Sequence, residues 1–340
     1  MTPMLLIDGS AGEGGGQVLR TALGLSLVTG KAFRIANIRG GREKPGLLRQ
    51  HLTCVQAAQA LGGADVEGAA LSSRELVFRP NAVQPGRYEF SIGSAGSTTL
   101  VLQAVLPALL RASGPTTFSI EGGTHNGLAP PFDFLARSFV PVMTRMGAQV
   151  DLRLVRWGFE PAGGGRLEVT VTPAPLKPVE LLQRGALRSR SAVAVVSAVA
   201  RSVAERELAV VREELEFADG ELRAEELVAP GPGNSLAISL EYEHVTEVFV
   251  GLGARGVTAE KVARRTCGEV RRALRTDAPV GQHLADQLLI PFALAGGGVF
   301  RTVEPTLHTR TQLELIPRFL DVKLGCQPEA TGATWRVSVG

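Results

Sequence analysis

One pattern appears three times along this chain, and it limits the fold more than any single residue does. A Gly-rich or Pro-Gly opening runs into an apolar helix at "GGGQVLRTALGLSLVTG" (14–30), "SAGSTTLVLQAVLPALLRA" (94–112) and "PVGQHLADQLLIPFALAGGG" (279–298). Each is followed by a β-rich segment ("AFRIANI", "TTFSIEGG", "VFRTVEP") and then by a second helical segment ("PGLLRQHLTCVQAAQALGG", "PPFDFLARSFVPVMTRMGA", "TRTQLELIPRFL"). Self-similar blocks of this kind predict α/β units that bury their apolar faces against one another. Strand pairs should close the units, "RELVFRP" with "GRYEFSIG" and "QVDLRLV" with "RLEVTVTP".

The spacing is uneven. The openings at Gly14 and Ser94 lie 80 residues apart, but Ser94 and Pro279 are 185 apart. A surplus of roughly 100 residues is the size of a small inserted domain. Its expected limits are "TPAPLKP" (172–178) and "TDAPVG" (276–281), and inside it the pattern reads βαββα. The expected fold class is therefore α/β (α+β repeats). Residues 1–179 and 277–340 form one discontinuous three-unit domain, and the smaller domain 180–276 is inserted between the second and third units. No candidate site residue falls inside the insertion, which should be peripheral to chemistry.

Composition narrows the class. The chain is 44% hydrophobic with 40 glycines, and its 36 basic and 33 acidic residues leave a formal charge of only +3, so a basic tail is excluded but a local basic site is not. Cys54, Cys267 and Cys326 lack metal or disulfide spacing and are expected to be buried thiols. The start "MTPMLLIDGS" lacks the basic and apolar regions of a leader, and "SAVAVVSAVA" is bracketed by arginines, so no membrane association and a cytoplasmic location are expected.

The first opening, "IDGSAGEGGGQVLR" (7–20), places Gly9, Gly12, Gly14, Gly15 and Gly16 between strand and helix. Such loops let backbone amides approach a phosphate. The Walker lysine is missing, but "IRGGREKPGLLRQH" (38–51) gathers Arg39, Arg42, Lys44, Arg49, Gln50 and His51 in a loop that Pro45 should lead into a helix. Arginine forks match phosphate oxygens. A solvated basic loop is the competing reading, against which Arg49 and Arg20 stand on otherwise apolar helices. Glu13, among amides waiting for an anion, reads either as a turn residue or as a ligand for a divalent metal bridging to phosphate. Asp286 and Gln287 lie on an apolar helix, where Asp286 needs a partner. His308 follows a strand and precedes a helix, a common place for a reactive side chain, although a solvated loop histidine is the alternative there. No His/Cys pairing supports zinc and no G-x-S-x-G elbow supports a serine hydrolase.

With these residues in view, the chain resembles the RNA 3′-terminal phosphate cyclases over essentially its whole length. The resemblance rests on "DGSAGEGGGQVLRTALGLS", "IRGGREKPGLLRQHLT", "IGSAGSTTLVLQAVLPALL", "GGTHNGLAPPFDF", "GFEPAGGGRLEV", "GPGN" and "HLADQLLIPFALAGGG", in family order and at family spacing. It implies ATP-dependent conversion of an RNA 3′-phosphate to a 2′,3′-cyclic phosphate, with ATP as cosubstrate, Mg2+ or Mn2+ as metal, RNA 3′-phosphate ends as partners and a homodimer as an assembly. It implies a histidine nucleophile at His308, followed by Thr311, that carries AMP before an RNA(3′)pp(5′)A intermediate forms. ATP contacts map onto Gln103, His283, Leu284, Ala285, Asp286 and Gln287, and the metal onto Glu13. The RNA phosphate maps onto Arg39, Arg42, Gln50 and His51, with Arg20 added to that set. The family often has Asn after the threonine where Gln312 stands here, and His125 occupies a position where another polar residue is common. Both departures bear on fine positioning. Two other readings compete: a non-catalytic cyclase-like ribosome-biogenesis factor, against which His308 argues, and an enolpyruvyl-transferase-like enzyme, which forms no adenylylate.

Overall fold

The computed structural model describes residues 4–330 and 332–340. The leader reading at the N-terminus partly concerns residues 1–3, which lie outside the described residues. The first unit runs β1 (Leu5–Asp8), α1 (Gly16–Thr29), β2 (Phe33–Ala36), α2 (Arg49–Gly62), β3 (Asp65–Glu67) and β4 (Leu76–Arg79). The second runs β5 (Arg87–Ser91), α3 (Thr98–Leu109), β6 (Thr116–Gly122), α4 (Phe132–Phe134), a π turn at Leu135–Phe139, α5 (Val140–Arg145), β7 (Gln149–Arg156) and β8 (Gly165–Thr172). Strand β9 (Glu180–Leu181) precedes the inserted segment, which holds β10 (Leu187–Ser197), α6 (Arg201–Leu215), β11 (Leu222–Glu226), β12 (Gly233–Tyr242), β13 (Thr246–Leu252) and α7 (Ala259–Leu274). The chain then continues through α8 (Gln282–Leu294), β14 (Gly298–Thr302), α9 (Leu307–Phe319), β15 (Leu324–Pro328) and β16 (Trp335–Val339).

The strands form four-stranded sheets with the orders β1-β2-β4-β3, β5-β6-β8-β7 and β9-β14-β16-β15, and all three are wired alike. In each, the first two strands are parallel across a helix and the last two return antiparallel. A parallel pair needs such a crossover, which is why each unit opens with an apolar helix. Helix α1 packs on α2, α3 and α9, and α8 packs on α9, α3 and the π turn. One apolar cluster, including Leu19, Leu23, Val101, Val105, Leu288 and Ile316, runs through all three units.

The inserted sheet is wired differently, as β11-β10-β12-β13, and has its own cluster around Ala194, Val211, Ile238 and Val270. It carries one strand more than the βαββα expectation. Strand β11 reads "LRAEE", an edge strand parallel to β10 whose charges conceal the alternating pattern. Residues 180–181 pair with β14, so the third sheet takes its first strand from ahead of the insertion.

Other expectations are corrected in detail. "RELVFRP" pairs with β3 and β2, whereas "GRYEFSIG" opens the second sheet beside β6. The loop after β2 stays irregular past Pro45, because Leu47 exchanges backbone hydrogen bonds with Ser72 and Ser73; α2 therefore begins only at Arg49. The second helix of the second unit is broken by the π turn just before Pro141, which cannot donate to the carbonyl four residues back. Cys54 and Cys267 are buried, but Cys326, on β15, is only half-buried. Among the described residues, no helix is long and apolar enough to cross a membrane.

Candidate functional site

The site lies where the glycine-rich loop after β1 meets the beginnings of α2 and α9. Thr311 holds this junction. Its hydroxyl accepts the Glu13 backbone N–H at 3.0 Å and donates to the Leu307 carbonyl at 2.7 Å, fastening the loop to α9. The loop passes so close that a Cβ on Gly12, at φ +61°, would overlap Thr311. Further along, Thr21 donates to Gln312 at 3.2 Å, tying α1 to α9 through two buried side chains.

His308 occupies the first turn of α9 rather than the preceding loop, and Thr306 caps that helix by accepting the Thr309 N–H. Its ring is exposed, and Nδ1 lies 3.0 Å from Oε1 of Gln17. Partial burial first, and then Arg20 and Arg42, push the His308 pKa below the ordinary value, with Glu13 opposing them. The ring is therefore neutral at pH 7 and faces both signs of charge.

Around it stand most of the residues singled out from the sequence. Arg20, buried on α1, donates through Nε to Oε1 of Gln103 on α3 at 3.0 Å, so Gln103 orients this guanidinium. His51 is buried on α2; its Nδ1 accepts the Leu48 N–H at 3.3 Å, which leaves Nε2 as the N–H donor. A Cβ on Gly16 would lie 2.5 Å from His51 Nε2 and 2.7 Å from Arg20 Nη1, so only glycine lets these two donors close over the start of α1. Burial, reinforced by Arg20 and Arg39, pushes the His51 pKa down to about 3, and the ring serves as a neutral donor. Gln50 accepts the Ser97 N–H at 2.9 Å, joining α2 to the second unit's own glycine-rich loop.

Glu13 and Arg42 form a 2.5 Å ion pair in which the carboxylate is nearly buried, and the other Glu13 oxygen accepts the Gln17 N–H at 2.9 Å. Arg39 is turned inward on its own loop, where Nη1 donates to the carbonyls of Lys44 at 2.6 Å and Gly46 at 2.9 Å. On α8, Leu284 and Ala285 point into the core, whereas Asp286 and Gln287 are half-buried and His283 is exposed. Partial desolvation, followed by the nearness of His308, lowers the His283 pKa. Asp286 lies 3.3 Å from Nε2 of Gln17, and burial pushes its pKa up to about 7 against the pull of Arg20. Gln103, Gln287 and Gln312 share the edge of an apolar cleft lined by Leu106, Phe139 and Leu152. His125 takes part in none of these contacts; it is buried between Asp133 at 2.9 Å and Thr124 at 2.8 Å and stacks on Trp157.

Among the described residues, no group of three His, Cys, Asp or Glu side chains could hold a metal unaided. Glu13 could supply one oxygen beside its Arg42 contact. That fits a hard cation held by one carboxylate and substrate phosphates. Gln17, which links His308 to Asp286, was not singled out from the sequence.

The fold and this junction define an α/β repeat protein that presents a neutral imidazole within a cradle of arginine, histidine and amide donors. The chain belongs to the RNA 3′-terminal phosphate cyclase family, whose model matches residues 11–326. It is similar to proteins called RNA 3′-terminal phosphate cyclase from Ralstonia nicotianae (49% identical, covering 99% of this chain and 97% of that one). Those of Koribacter versatilis (49%, 96% and 92%) and Salmonella typhimurium (45%, 99% and 100%) are also similar. Superposition on the enolpyruvyl transferase NikO from Streptomyces tendae gives a TM-score of 0.39 at 10% identity, covering 99% of this chain and 48% of that one, too remote to inform function.

Proposed function

We propose that the chain uses ATP to convert an RNA 3′-phosphate into a 2′,3′-cyclic phosphate through a His308–AMP adduct and an RNA(3′)pp(5′)A intermediate. The observation that carries this reading is an exposed His308 whose Nδ1 lies 3.0 Å from Gln17 beside the glycine-rich loop, with Arg20, Arg42 and Glu13 acting on its charge. Direct attack of the 2′-OH on a phosphate monoester would have to expel hydroxide or oxide; adenylylation replaces that leaving group with AMP. In the first step the His308 lone pair attacks the α-phosphorus, the bond to the β-phosphate oxygen breaks and pyrophosphate leaves. An oxygen of the RNA 3′-phosphate then attacks the same phosphorus, and the electron pair of the N–P bond returns to the ring. In the last step the vicinal 2′-OH closes on the 3′-phosphorus, the bond from that phosphorus to the bridging oxygen breaks, and AMP departs with that oxygen. The hydroxyl proton passes to the departing phosphate or to solvent, and the step needs alignment more than a strong base.

Arg20, Arg42 and the His51 Nε2–H supply donors for the terminal phosphate. Gln50 braces the adjoining loop, and Arg39 acts mainly by fixing the loop that presents Arg42. Gln103, His283, Asp286 and Gln287 serve the nucleotide, while Leu284 and Ala285 serve by packing α8. Glu13 would hold a Mg2+ or Mn2+ ion, which when bound neutralises phosphate charge and favours loss of pyrophosphate.

Labelling the purified protein with α-phosphate-labelled ATP tests the assignment. Wild type should acquire AMP in a bond that is lost in acid and durable in alkali, and His308→Ala should acquire none. The same variant, given RNA(3′)pp(5′)A, should still cyclise it. Labelling of His308→Ala at the wild-type level would place the nucleophile elsewhere.

A further inference from the structure

Among the described residues, the His308 ring makes its only side-chain hydrogen bond to Gln17, the second residue of α1. Gln17 is 2% exposed, and its backbone N–H is pinned to Glu13 at 2.9 Å. An amide has two unlike ends, and here each has a fixed neighbour. When ionised, the Asp286 carboxylate can only accept, so the end 3.3 Å from it is then the NH2 group. The carbonyl oxygen is left facing His308 Nδ1 at 3.0 Å, and that nitrogen must therefore carry the proton. A neutral imidazole has one N–H, so the lone pair lies on Nε2.

We propose that Gln17 is a positioning residue that selects Nε2 of His308 as the nitrogen that takes the adenylyl group; this rests on the histidine-adenylylation reading above. The same contact serves the second transfer. When Nε2 bonds to phosphorus and pyrophosphate leaves, the Nδ1 proton stays in place and the ring becomes cationic, with the Gln17 oxygen accepting from the charged N–H. When the RNA phosphate displaces the ring, the electron pair returns to Nε2 and a neutral imidazole departs rather than an imidazolate. No proton has to be removed from the ring in either step. A hydrogen bond that fixes the ring's tautomer thus helps both formation and breakdown of the adduct.

The test is 15N NMR of intact protein labelled at histidine, at roughly pH 8, where Asp286 is ionised. The His308 resonances are assigned by their loss in His308→Ala. Wild type should show His308 protonated on Nδ1, and Gln17→Met should let the Nε2–H form appear. Because a wrongly held tautomer is costly to an imidazole catalyst, Gln17→Met should self-label about 10²-fold more slowly at saturating ATP. The ATP concentration for half-maximal labelling should not rise. Gln17→Glu, which retains an acceptor for the Nδ1–H, should recover a large part of the rate. A wild-type His308 protonated on Nε2, or a Met variant that labels at the wild-type rate, would overturn the proposal. If wild type takes no label at all, the adenylylation reading fails, while the NMR result still decides what Gln17 does to the ring.

Discussion

Asp286 is a half-buried carboxylate 3.3 Å from the amide that orients His308, and its pKa of about 7 lets it titrate near neutrality. Once protonated, it could donate to the Gln17 oxygen, the amide could turn over, and His308 Nδ1 would meet a donor instead of an acceptor. The self-labelling rate should therefore rise with pH through about 7. His308's own pKa is depressed, so its protonation limb lies at lower pH, below 6.5. In Asp286→Asn the limb near 7 should vanish and only the lower one remain in a pH–rate profile; a wild-type profile flat through that range would refute the coupling. Stability gives a second check. The folded pKa lies above the model-compound value of 3.8, so ionisation costs stability progressively as pH rises from there to about 7. Asp286→Asn should thus unfold at a higher temperature than wild type at alkaline pH, and the two midpoints should converge in acid. The sequence already marked Asp286 as a charge in need of a partner. Gln17 escaped because an uncharged amide beside five glycines carries little signal, although buried polarity on an apolar helix, the criterion that marked Arg20, applies to it equally.

At the scale of elements, the glycine-rich loop and α9 behave as one piece because Thr311 serves both. Replacing it with the near-isosteric valine removes the acceptor for the Glu13 N–H while keeping the volume. Thr311→Val should cost about 1–3 kcal/mol by denaturant titration, the usual penalty for stranding a desolvated donor. Loosening Glu13 should also raise the metal concentration needed for half-maximal labelling. An unchanged unfolding midpoint would mean that water reaches this amide. Helices were easier to read from sequence than strand partners. The apolar openings of α1, α3 and α8 report burial directly, and all three form. Strand pairing depends on contacts distant in sequence: nothing within "RELVFRP" says that it turns back to β3 rather than forward to β5. Two-residue β9 and charged β11 are too short or too polar to alternate visibly. Likewise, His308 was recognisable by its place where the chain passes from β14 into the first turn of α9, but its distance from Gln17 was not, since that contact joins the first and last units.

Across the whole molecule, three similarly wired units bring the start of α1, the start of α2 and the start of α9 together, and the nearly balanced charge is what the proposed contact with a single terminal phosphate would require. The inserted segment, which holds none of the site's arginines and not His308, does touch the start of α8. Glu247, on β13, accepts the Gly281 N–H at 2.9 Å, and Gly281 is the cap residue of α8, the helix that carries His283, Asp286 and Gln287. Arg137 with Glu241 at 2.9 Å and Arg145 with the His244 carbonyl at 2.6 Å dock the same edge onto the second unit. A carboxylate at a helix N-terminus satisfies a free amide and complements the helix dipole. Burial pushes the Glu247 pKa up to about 7, with the Gly281 N–H pulling the other way, so the cap is charged only on the alkaline side. Glu247→Ala should speed amide exchange in the first turn of α8 by about two- to thirtyfold at alkaline pH, the effect of losing a cap. Glu247→Gln, which keeps an acceptor, should stay near wild type. If α8 presents the nucleotide contacts, Glu247→Ala should also raise the ATP concentration for half-maximal labelling, although Glu247 itself touches no substrate. Unchanged exchange in Glu247→Ala would show that the three-unit body alone holds the start of α8, and replacing the segment between β9 and α8 with a short linker should then leave labelling intact.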